Sequence, residues 1–356
     1  MTNQTIYAPS QPIRTALLGF GLAGSVFHAP LILAEPRLAL TKVLTSRGLT
    51  PECQASRVTS TTDLHEIMAD STIELVVVAT PNPSHFELAS TALVAGKHVV
   101  VDKPMTLTYA EALELDRLAT AVNRRLSTFH NRRFDAHLLT VKAAVDSGVI
   151  GTPLLGEIHF DRFRPFPKAG WREEPEAGAG LYYDLAPHLL DQGRILFGEP
   201  ATITAFITRQ RPESQVDDSF HLVLEYDDSP RRLVLRAAMV VAAPGPRIIL
   251  HGTRGSIVQT GFDEQEEELR NGKRPSDPDW GLCRSLRVEV TQMTEGGLTN
   301  STYPPLRGAY PEFYRRLAAA IRDGSEPSGS SADSCRIMQL LEAGLRSHRS
   351  RSSIRV

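Results

Sequence analysis

The chain has 356 residues, of which 41% are hydrophobic, and its formal charge is -2 at pH 7. This length exceeds what one hydrophobic core usually fills, so it predicts two domains. The near-neutral charge argues against a bulk nucleic-acid binder and against a protein held on a membrane by basic residues. Three widely spaced cysteines without a C-x-x-C pair argue against a disulfide framework and against a metal site. Because the first residues lack a secretory pattern and no apolar run reaches about 18 residues, we expect a cytoplasmic protein without membrane spans.

Short apolar segments alternate with helical patterns up to about residue 130. The predicted strands cover residues 13–19, 38–47, 73–80, 98–104 and 126–134. A glycine-rich turn and a helix follow the first strand, and further helices are predicted at 62–70, 84–97 and 108–123. Unalternating apolar strands separated by helices are typical of a parallel sheet covered on both faces. Residues 1–130 are therefore predicted to form a doubly wound α/β domain of the Rossmann type.

The pattern changes after residue 130. Strands with alternating hydrophobicity are predicted at 154–165, 201–210, 219–228, 231–241 and 246–260. Helices are predicted at 136–151, 311–324 and 331–348, and the charged segment 263–281 is predicted to be a solvated loop. Residues 131–356 are therefore predicted to form an α+β domain with a large open, mostly antiparallel sheet. Its terminal helices can pack back onto the first domain. Because one face of that sheet would stay uncovered, we expect a homodimer or homotetramer formed through it.

Gly19, Gly21 and Gly24 form a G-x-G-x-x-G motif, with Phe20 inside it. The motif directly follows a predicted strand and opens a predicted helix, which is the context that dinucleotide binding requires. Glycines let the backbone turn tightly and approach a pyrophosphate, and the helix N-terminus offers free N–H groups to the phosphates. The alternative is a glycine turn without a ligand.

The second predicted strand ends at Thr45, Ser46 and Arg47, where NAD-binding domains usually carry an acidic residue for the ribose 2′-hydroxyl. A hydroxyl and a guanidinium suit the 2′-phosphate of NADP instead, through charge-assisted hydrogen bonds. This favours NADP over NAD. The alternative is that Arg47 is a surface arginine and that the predicted register is off by a few positions.

The segment 177–192, AGAGLYYDLAPHLLDQ, places Asp184 and His188 one helical turn apart. Since proline is tolerated only in the first turn of a helix, Pro187 predicts a helix that begins near Asp184, with Asp184 at or beside the N-cap. On one interpretation Asp184 is only a cap and His188 only a core residue. On the other they are a catalytic couple, because histidine titrates near neutrality and a nearby carboxylate orients its ring and stabilises its charge.

Lys103 lies just past the carboxyl end of its predicted strand, at the edge where open α/β sheets bind ligands. An ammonium group there could stabilise a developing alkoxide or polarise a carbonyl; position alone equally allows a surface lysine. The loop 161–172 carries several cationic or aromatic side chains that could hold substrate hydroxyls or an anion, or form a solvated rim. They are Arg162, Arg164, Lys168, Trp171 and Arg172.

The segment 76–104, VVVATPNPSHFELASTALVAGKHVVVDKP, together with the glycine motif and GLYYDLAPHLLDQ, resembles the Gfo/Idh/MocA family of oxidoreductases over nearly the whole chain. FHAP, VVVDKP, FHNRRFD, HFDRFRP and YYDLAPHLLDQ look most like a branch that holds YdgJ-type oxidoreductases and NADP-dependent scyllo-inositol dehydrogenases. The family usually has E-K-P where this chain has Asp102, Lys103 and Pro104, and a shorter carboxylate keeps the charge.

The resemblance implies hydride transfer between a nicotinamide and a cyclic polyol or sugar, with Lys103, Asp184 and His188 as the catalytic residues. It also implies cofactor contacts from the loops after the third and fourth strands, at Thr80, Pro81, Asn82, His85 and Asp102. Substrate contacts are expected in the same crevice, at Asn131, Arg132, Arg164, Trp171 and Tyr183. Two other functions stay open: a non-catalytic sugar or dinucleotide sensor on the same fold, and a reductase of another carbonyl compound.

Overall fold

Two β-sheets organise the chain. The computed structural model describes residues 11–227 and 230–356. Residues 1–10, part of the stretch in which we looked for a secretory pattern, lie outside the described residues, as does Asp228 at the end of one predicted strand. Among the described helices, none is long and apolar enough to cross a membrane.

The first sheet is parallel and, within the described residues, has six strands in the order β3-β2-β1-β4-β5-β6. This is the strand order of the dinucleotide-binding doubly wound fold, so that prediction is confirmed. The strands are β1 Ile13–Leu18, β2 Leu38–Leu44, β3 Thr59–Thr61, β4 Leu75–Val78, β5 His98–Val101 and β6 Leu126–Thr128. The helices are α1 Ala29–Leu33, which continues a π-helical turn at Ala23–His28, α2 Pro51–Ala55, α3 Leu64–Met68, α4 His85–Val94 and α5 Tyr109–Ala121.

Local sequence explains most of these boundaries. All four residues of β4 are buried, because helices cover both faces of the sheet. Thr108 and Glu111 form a reciprocal capping box at the start of α5. Gly96 has a φ of +74° just after α4, a left-handed conformation that favours glycine. The short β3 and α2 were not predicted, since neither carries a long periodic pattern.

The second sheet has nine strands among the described residues, in the order β14-β13-β12-β11-β7-β10-β9-β8-β15. Its neighbours pair antiparallel except for β7 and β10, which confirms a mostly antiparallel sheet. The strands are β7 Pro153–His159, β8 Thr202–Thr208, β9 Ser219–Glu225, β10 Arg232–Ala238, β11 Ile248–Gly252, β12 Gly255–Thr260, β13 Arg287–Thr294, β14 Gly297–Thr302 and β15 Ile354–Arg355. The helices are α6 Ala136–Asp146, α7 Gly180–Phe197, α8 Gln265–Arg270, α9 Pro311–Asp323 and α10 Ser331–Ser350.

Helices cover one face of the second sheet. Ile203, Leu222 and Leu235 point to that face and are fully buried against α7 and α10. Leu155 and Phe206 lie on the opposite face and are each 49% exposed. The helix α10 reaches both sheets, because it contacts β6 and α5 as well as β8, whereas α9 packs against α1. The predicted boundary at residue 130 stays a prediction.

The charged segment 263–281 was wrongly predicted to be a solvated loop. Its residues 265–270 form α8, and within it Gln265 and Leu269 are buried. The Gln265 amide donates to the Phe134 carbonyl oxygen at 3.1 Å and accepts from the Tyr310 N–H at 2.7 Å. Both partners are far from α8 in sequence. The local sequence, in which charged residues predominate, therefore did not indicate that Gln265 and Leu269 are buried.

Candidate active site

Lys103 and Asp184 form a direct ion pair. Lys103 follows β5 at the carboxyl edge of the parallel sheet, and Asp184 lies in α7. The Lys103 Nζ donates to Asp184 Oδ1 at 2.9 Å and to the Asp184 carbonyl oxygen at 2.5 Å. Arg172 Nε lies 3.4 Å from the same Oδ1. Burial alone would raise the pKa of the Asp184 carboxyl, but the charges of Lys103 and Arg172 hold it well below its ordinary value.

Helix α7 begins earlier than Pro187 predicts. It starts at Gly180, so Asp184 lies in the second turn and is not a cap, and Pro187 lies inside the helix. The first N–H groups are satisfied from a distant loop, because Leu181 N donates to the Asp217 carbonyl oxygen at 2.9 Å and Tyr182 N donates to Asp217 Oδ1 at 2.6 Å. The prediction was wrong because this cap is invisible in the local sequence.

His188 lies one turn after Asp184 in α7 and is only 5% exposed. Burial, followed by the positive charges of Lys103 and Arg132, holds its pKa well below the ordinary value of 6.5. No hydrogen bond joins its ring to Asp184 among the described residues, and its Nδ1 is buried without a partner. His188 is therefore a neutral imidazole near pH 7, and the expected support from Asp184 goes to Lys103 instead.

A cavity of about 240 Å³ brings Lys103, Asp184 and His188 together. Three of the residues predicted to contact substrate, Asn131, Arg132 and Arg164, also line it. Tyr183 does not line this cavity, and its hydroxyl donates to the Leu107 carbonyl oxygen at 3.1 Å, so its contact with substrate stays a prediction. The other lining residues are Leu22, Ala23, Phe27, Asp102, Phe129, Arg162, Arg172, Leu185, Glu266 and Arg270.

A second cavity of about 460 Å³ adjoins the first and contains the glycine motif. Leu22, Ala23, Asp102 and Arg172 line both. Trp171, which was predicted to contact substrate, lines this second cavity and a neighbouring one but not the first. Besides Asp102, eight of the residues predicted to contact the cofactor line the second cavity. The eight are Gly19, Phe20, Gly21, Ser46, Arg47, Thr80, Pro81 and Asn82.

The glycine motif fits a dinucleotide. Gly19 has a φ of +94°, and a Cβ on Gly24 would lie 2.1 Å from the Gly19 carbonyl oxygen, so both positions require glycine. A Cβ on Gly21 would meet no protein atom within 4 Å, so this backbone faces open space where a pyrophosphate can approach.

His85 and Asn82 hold loops in place. The His85 ring is buried, with Nδ1 2.8 Å from the Pro104 carbonyl oxygen and Nε2 2.9 Å from the Thr80 carbonyl oxygen. It lines neither cavity, and its two hydrogen bonds hold the loops after β4 and β5 together; its contact with the cofactor stays a prediction. Asn82 Nδ2 donates to the Gly178 carbonyl oxygen at 2.9 Å, which ties the cofactor loop to the segment before α7.

Sequence reasoning missed two groups at this site. Glu266 of α8 pairs with Arg132 at 2.9 Å and with Arg270 at 2.8 Å, and all three line the first cavity. Arg133 makes two hydrogen bonds, of 2.7 and 2.6 Å, to the buried Asp191 carboxylate in α7. The sequence gives one indication of the Arg133–Asp191 pair, because Asp191 falls on the same helical face as Asp184 and His188. Among the described residues, no cluster of His, Cys, Asp and Glu has an arrangement that could hold a metal ion.

The comparisons with known proteins agree with this geometry. Residues 13–130 match the family described as "Oxidoreductase family, NAD-binding Rossmann fold", and residues 142–356 match "Oxidoreductase family, C-terminal alpha/beta domain". The chain belongs to the Gfo/Idh/MocA oxidoreductase family. It is therefore an NAD(P)-dependent dehydrogenase or reductase.

Two relatives in this family match almost end to end. The chain is 41% identical to the oxidoreductase YdgJ of Escherichia coli, over 97% of this chain and 99% of the relative. It is 34% identical to the NADP-dependent scyllo-inositol 2-dehydrogenase IolW of Bacillus subtilis, over 96% of this chain and 95% of the relative. The solved structure of the oxidoreductase YvaA from Bacillus subtilis has a TM-score of 0.92 and 34% identity, covering 97% of this chain and 99% of that chain.

Proposed function

We propose that this member of the Gfo/Idh/MocA family is an NADP-dependent enzyme that interconverts a hydroxyl and a carbonyl group on a cyclic polyol or sugar resembling inositol. The single observation that carries the proposal is the shared cavity of Lys103, Asp184 and His188, which adjoins the cavity of the glycine motif. Proton-handling side chains beside a dinucleotide site are what an alcohol–carbonyl reaction needs.

The chain's own residues handle the proton. The bound nicotinamide would supply or accept the hydride. His188, neutral because its pKa is depressed, is suited to take the proton of a substrate hydroxyl. Lys103, oriented by Asp184, offers a fixed positive charge to the oxygen on which negative charge develops. The Asp184 carboxylate stays ionised and has room beside Lys103 to accept a hydrogen bond from a second hydroxyl.

The preference for NADP rests on the far end of the cofactor cavity. Ser46 and Arg47 line it just beyond β2, and both are exposed to the ligand side. Arg47 forms no side-chain hydrogen bond or ion pair within the described part of the chain, so its guanidinium is free to pair with a 2′-phosphate. A relative named as an NADP-dependent scyllo-inositol 2-dehydrogenase supports both the cofactor and the substrate class.

A spectrophotometric screen at 340 nm tests the proposal, with NADP or NAD offered against inositols, aldoses and their oxidised forms. We expect turnover with at least one cyclic polyol or sugar and tighter binding of NADPH than of NADH. Arg47→Ala should remove most of that cofactor preference while leaving the NADH affinity within about twofold. Equal binding of the two cofactors by the parent would refute the NADP assignment. Polyol binding without any turnover would instead favour a sensor.

A further inference from the structure

The substrate cavity carries an excess of positive charge. Among the described residues that line it, six are cationic and three are acidic. His188 adds no charge near neutrality, because its pKa is strongly lowered. The cations are Lys103, Arg132, Arg162, Arg164, Arg172 and Arg270, and the acids are Asp102, Asp184 and Glu266.

Two of the three acidic groups form ion pairs with four of these cations. Asp184 pairs with Lys103 and Arg172, as described above. Glu266 pairs with Arg132 and Arg270. Asp102 accepts from the backbone N–H of Lys103 at 2.8 Å. Two guanidinium groups remain, those of Arg162 and Arg164, and neither has a side-chain hydrogen bond or ion pair within residues 11–227 and 230–356.

Arg162 is held in a partly buried position. Its guanidinium lies 4.6 Å from the centre of the Phe160 ring, which also contacts the guanidinium of Arg247 at 4.1 Å. Burial, followed by the nearby charge of Arg164, lowers the pKa of Arg162 to about 10. The charges of Asp184 and Glu266 act on this pKa in the opposite direction but compensate the cation only in part, so an incoming anion would relieve the remaining cost.

The backbone around these arginines is fixed before any ligand arrives. Arg162 N donates to the Ala238 carbonyl oxygen at 2.9 Å, and Arg164 N donates to the Met239 carbonyl oxygen at 2.7 Å. Val241 N returns a bond to the Arg162 carbonyl oxygen at 3.0 Å. The segment 161–168, which follows β7, is therefore tied at its start to the residues around the end of β10 and is not a loose rim, so the backbone positions that carry both arginines are fixed before a ligand binds.

The cofactor does not account for these groups. The cavity that holds the glycine motif, Ser46 and Arg47 is not lined by Arg162 or Arg164. Both arginines line the cavity of His188 and Lys103, and they also line a neighbouring cavity of about 350 Å³ that shares Leu22, Arg172 and Asp184 with it. An anion bound by both arginines would therefore lie within or directly beside the cavity in which the substrate reacts.

We propose that the substrate carries an anionic substituent, a carboxylate or a phosphate, which Arg162 binds directly while Arg164 contributes from the mouth of the cavity. This rests on the proposed function, because it describes the polyol or sugar that reacts at Lys103, Asp184 and His188. The planar guanidinium fork matches both oxyanions, and a neutral polyol would leave Arg162 without its counter-ion.

Calorimetric titration of the NADPH-loaded protein with glucose, glucuronate and glucose 6-phosphate tests this, because NADPH cannot oxidise their hydroxyl groups and their predominant ring forms carry no free aldehyde to reduce; a constant absorbance at 340 nm shows that the complexes stay unreacted. We expect at least one charged ligand to bind about 10-fold or more tightly than glucose. Arg162→Gln should weaken that ligand by about 10- to 100-fold and change glucose by less than about threefold. Arg162→Lys should retain part of the preference. The charged ligand that responds to Arg162 identifies carboxylate or phosphate as the group.

Arg117→Gln is the control, since Arg117 is exposed on α5 and lines neither cavity. Melting temperatures within a few degrees of the parent will show that the variants are folded. Equal binding of glucose and both charged ligands, equal losses for all three in Arg162→Gln, or no binding of either charged ligand would overturn the inference. Charged binding that depends on Arg162 without turnover of any polyol would overturn the proposed function alone, and turnover of neutral polyols without a charge preference would overturn the anion site alone.

Discussion

Two oxygen atoms of one residue hold the Lys103 ammonium. The Asp184 carboxylate and the Asp184 carbonyl oxygen both accept from Nζ, so the lysine is fixed in position as well as in charge. The sequence predicted that Lys103, Asp184 and His188 lie in one crevice, and they line one cavity. It could not predict that Asp184 pairs with Lys103 and not with His188, because that pairing depends on side-chain directions across 81 positions.

At the same scale, His188→Ala should lower turnover by about 10²–10⁴, the usual contribution of a general acid–base. NADPH affinity should change by less than about twofold, because His188 does not line the cofactor cavity. Asp184→Asn should also lower turnover, since it removes the charge that orients Lys103. Stopped-flow turnover and melting temperature measured on the same two variants decide the matter: destabilised proteins with nearly normal activity per folded molecule would contradict the catalytic assignment.

At the scale of elements, Asp217 determines where α7 begins. It accepts from two of the first N–H groups of the helix, and Gly180 makes the approach possible, because a Cβ there would lie 2.1 Å from Asp217 Oδ2. Two predictions failed for one reason. The start of α7 and the packing of α8 both depend on partners from distant segments, Asp217 and Tyr310, whereas boundaries set by local caps and glycines, such as the start of α5, were predicted well.

Replacing Asp217 should therefore affect both stability and activity. Asp217→Ala should lower the free energy of unfolding by about 0.5–2 kcal/mol, the usual cost of losing a cap. It should also lower activity per folded molecule, because α7 carries Asp184 and His188. Ser330→Ala is the matched control, since Ser330 caps α10, which carries no residue of the site. Chemical denaturation and kinetics on both variants test this; equal activity per folded molecule in the two variants would contradict a role of the Asp217 cap in positioning the site.

At the scale of the whole molecule, the uncovered face of the second sheet is the largest feature without an assigned role. We propose that it forms a homodimer or homotetramer, because Leu155 on β7 and Phe206 on β8 leave large apolar side chains exposed on this face. Leu155→Glu and Phe206→Glu should each reduce the mass measured by light scattering at micromolar concentration. Val94→Glu, on the exposed side of α4, should leave it unchanged. A parent protein that is already monomeric would rule the assembly out.

The molecule should also lose stability in weak acid. Burial lowers the pKa values of His28 and His130 to about 4, below the ordinary 6.5. The stabilisation from keeping each ring neutral is therefore fully present above pH 6.5 and is lost as the pH falls towards 4, because the unfolded chain takes up the protons first. By pH 4 each histidine lowers the free energy of unfolding by on the order of 3 kcal/mol relative to pH 7.

Urea denaturation between pH 7 and pH 4 measures this loss. His28→Gln should make the dependence of unfolding free energy on pH shallower by about one proton. His65→Gln, at an exposed position on α3, should leave the slope unchanged. Parallel curves for the parent and His28→Gln would contradict the assignment of His28 as a buried neutral ring.

The ammonium of the site follows a strand of the first sheet, and its carboxylate comes from a helix packed on the second. The bond from Asn82 to Gly178 joins the same two parts of the chain. A recombinant protein that joined either part to the corresponding part of another protein would thus carry only one member of the Lys103–Asp184 pair. It would lose activity at once. New substrate preferences can arise more gradually, through changes in the strip 161–168, which takes part in neither bond. Natural diversification of this scaffold should accordingly be concentrated in that strip while the two contacts persist.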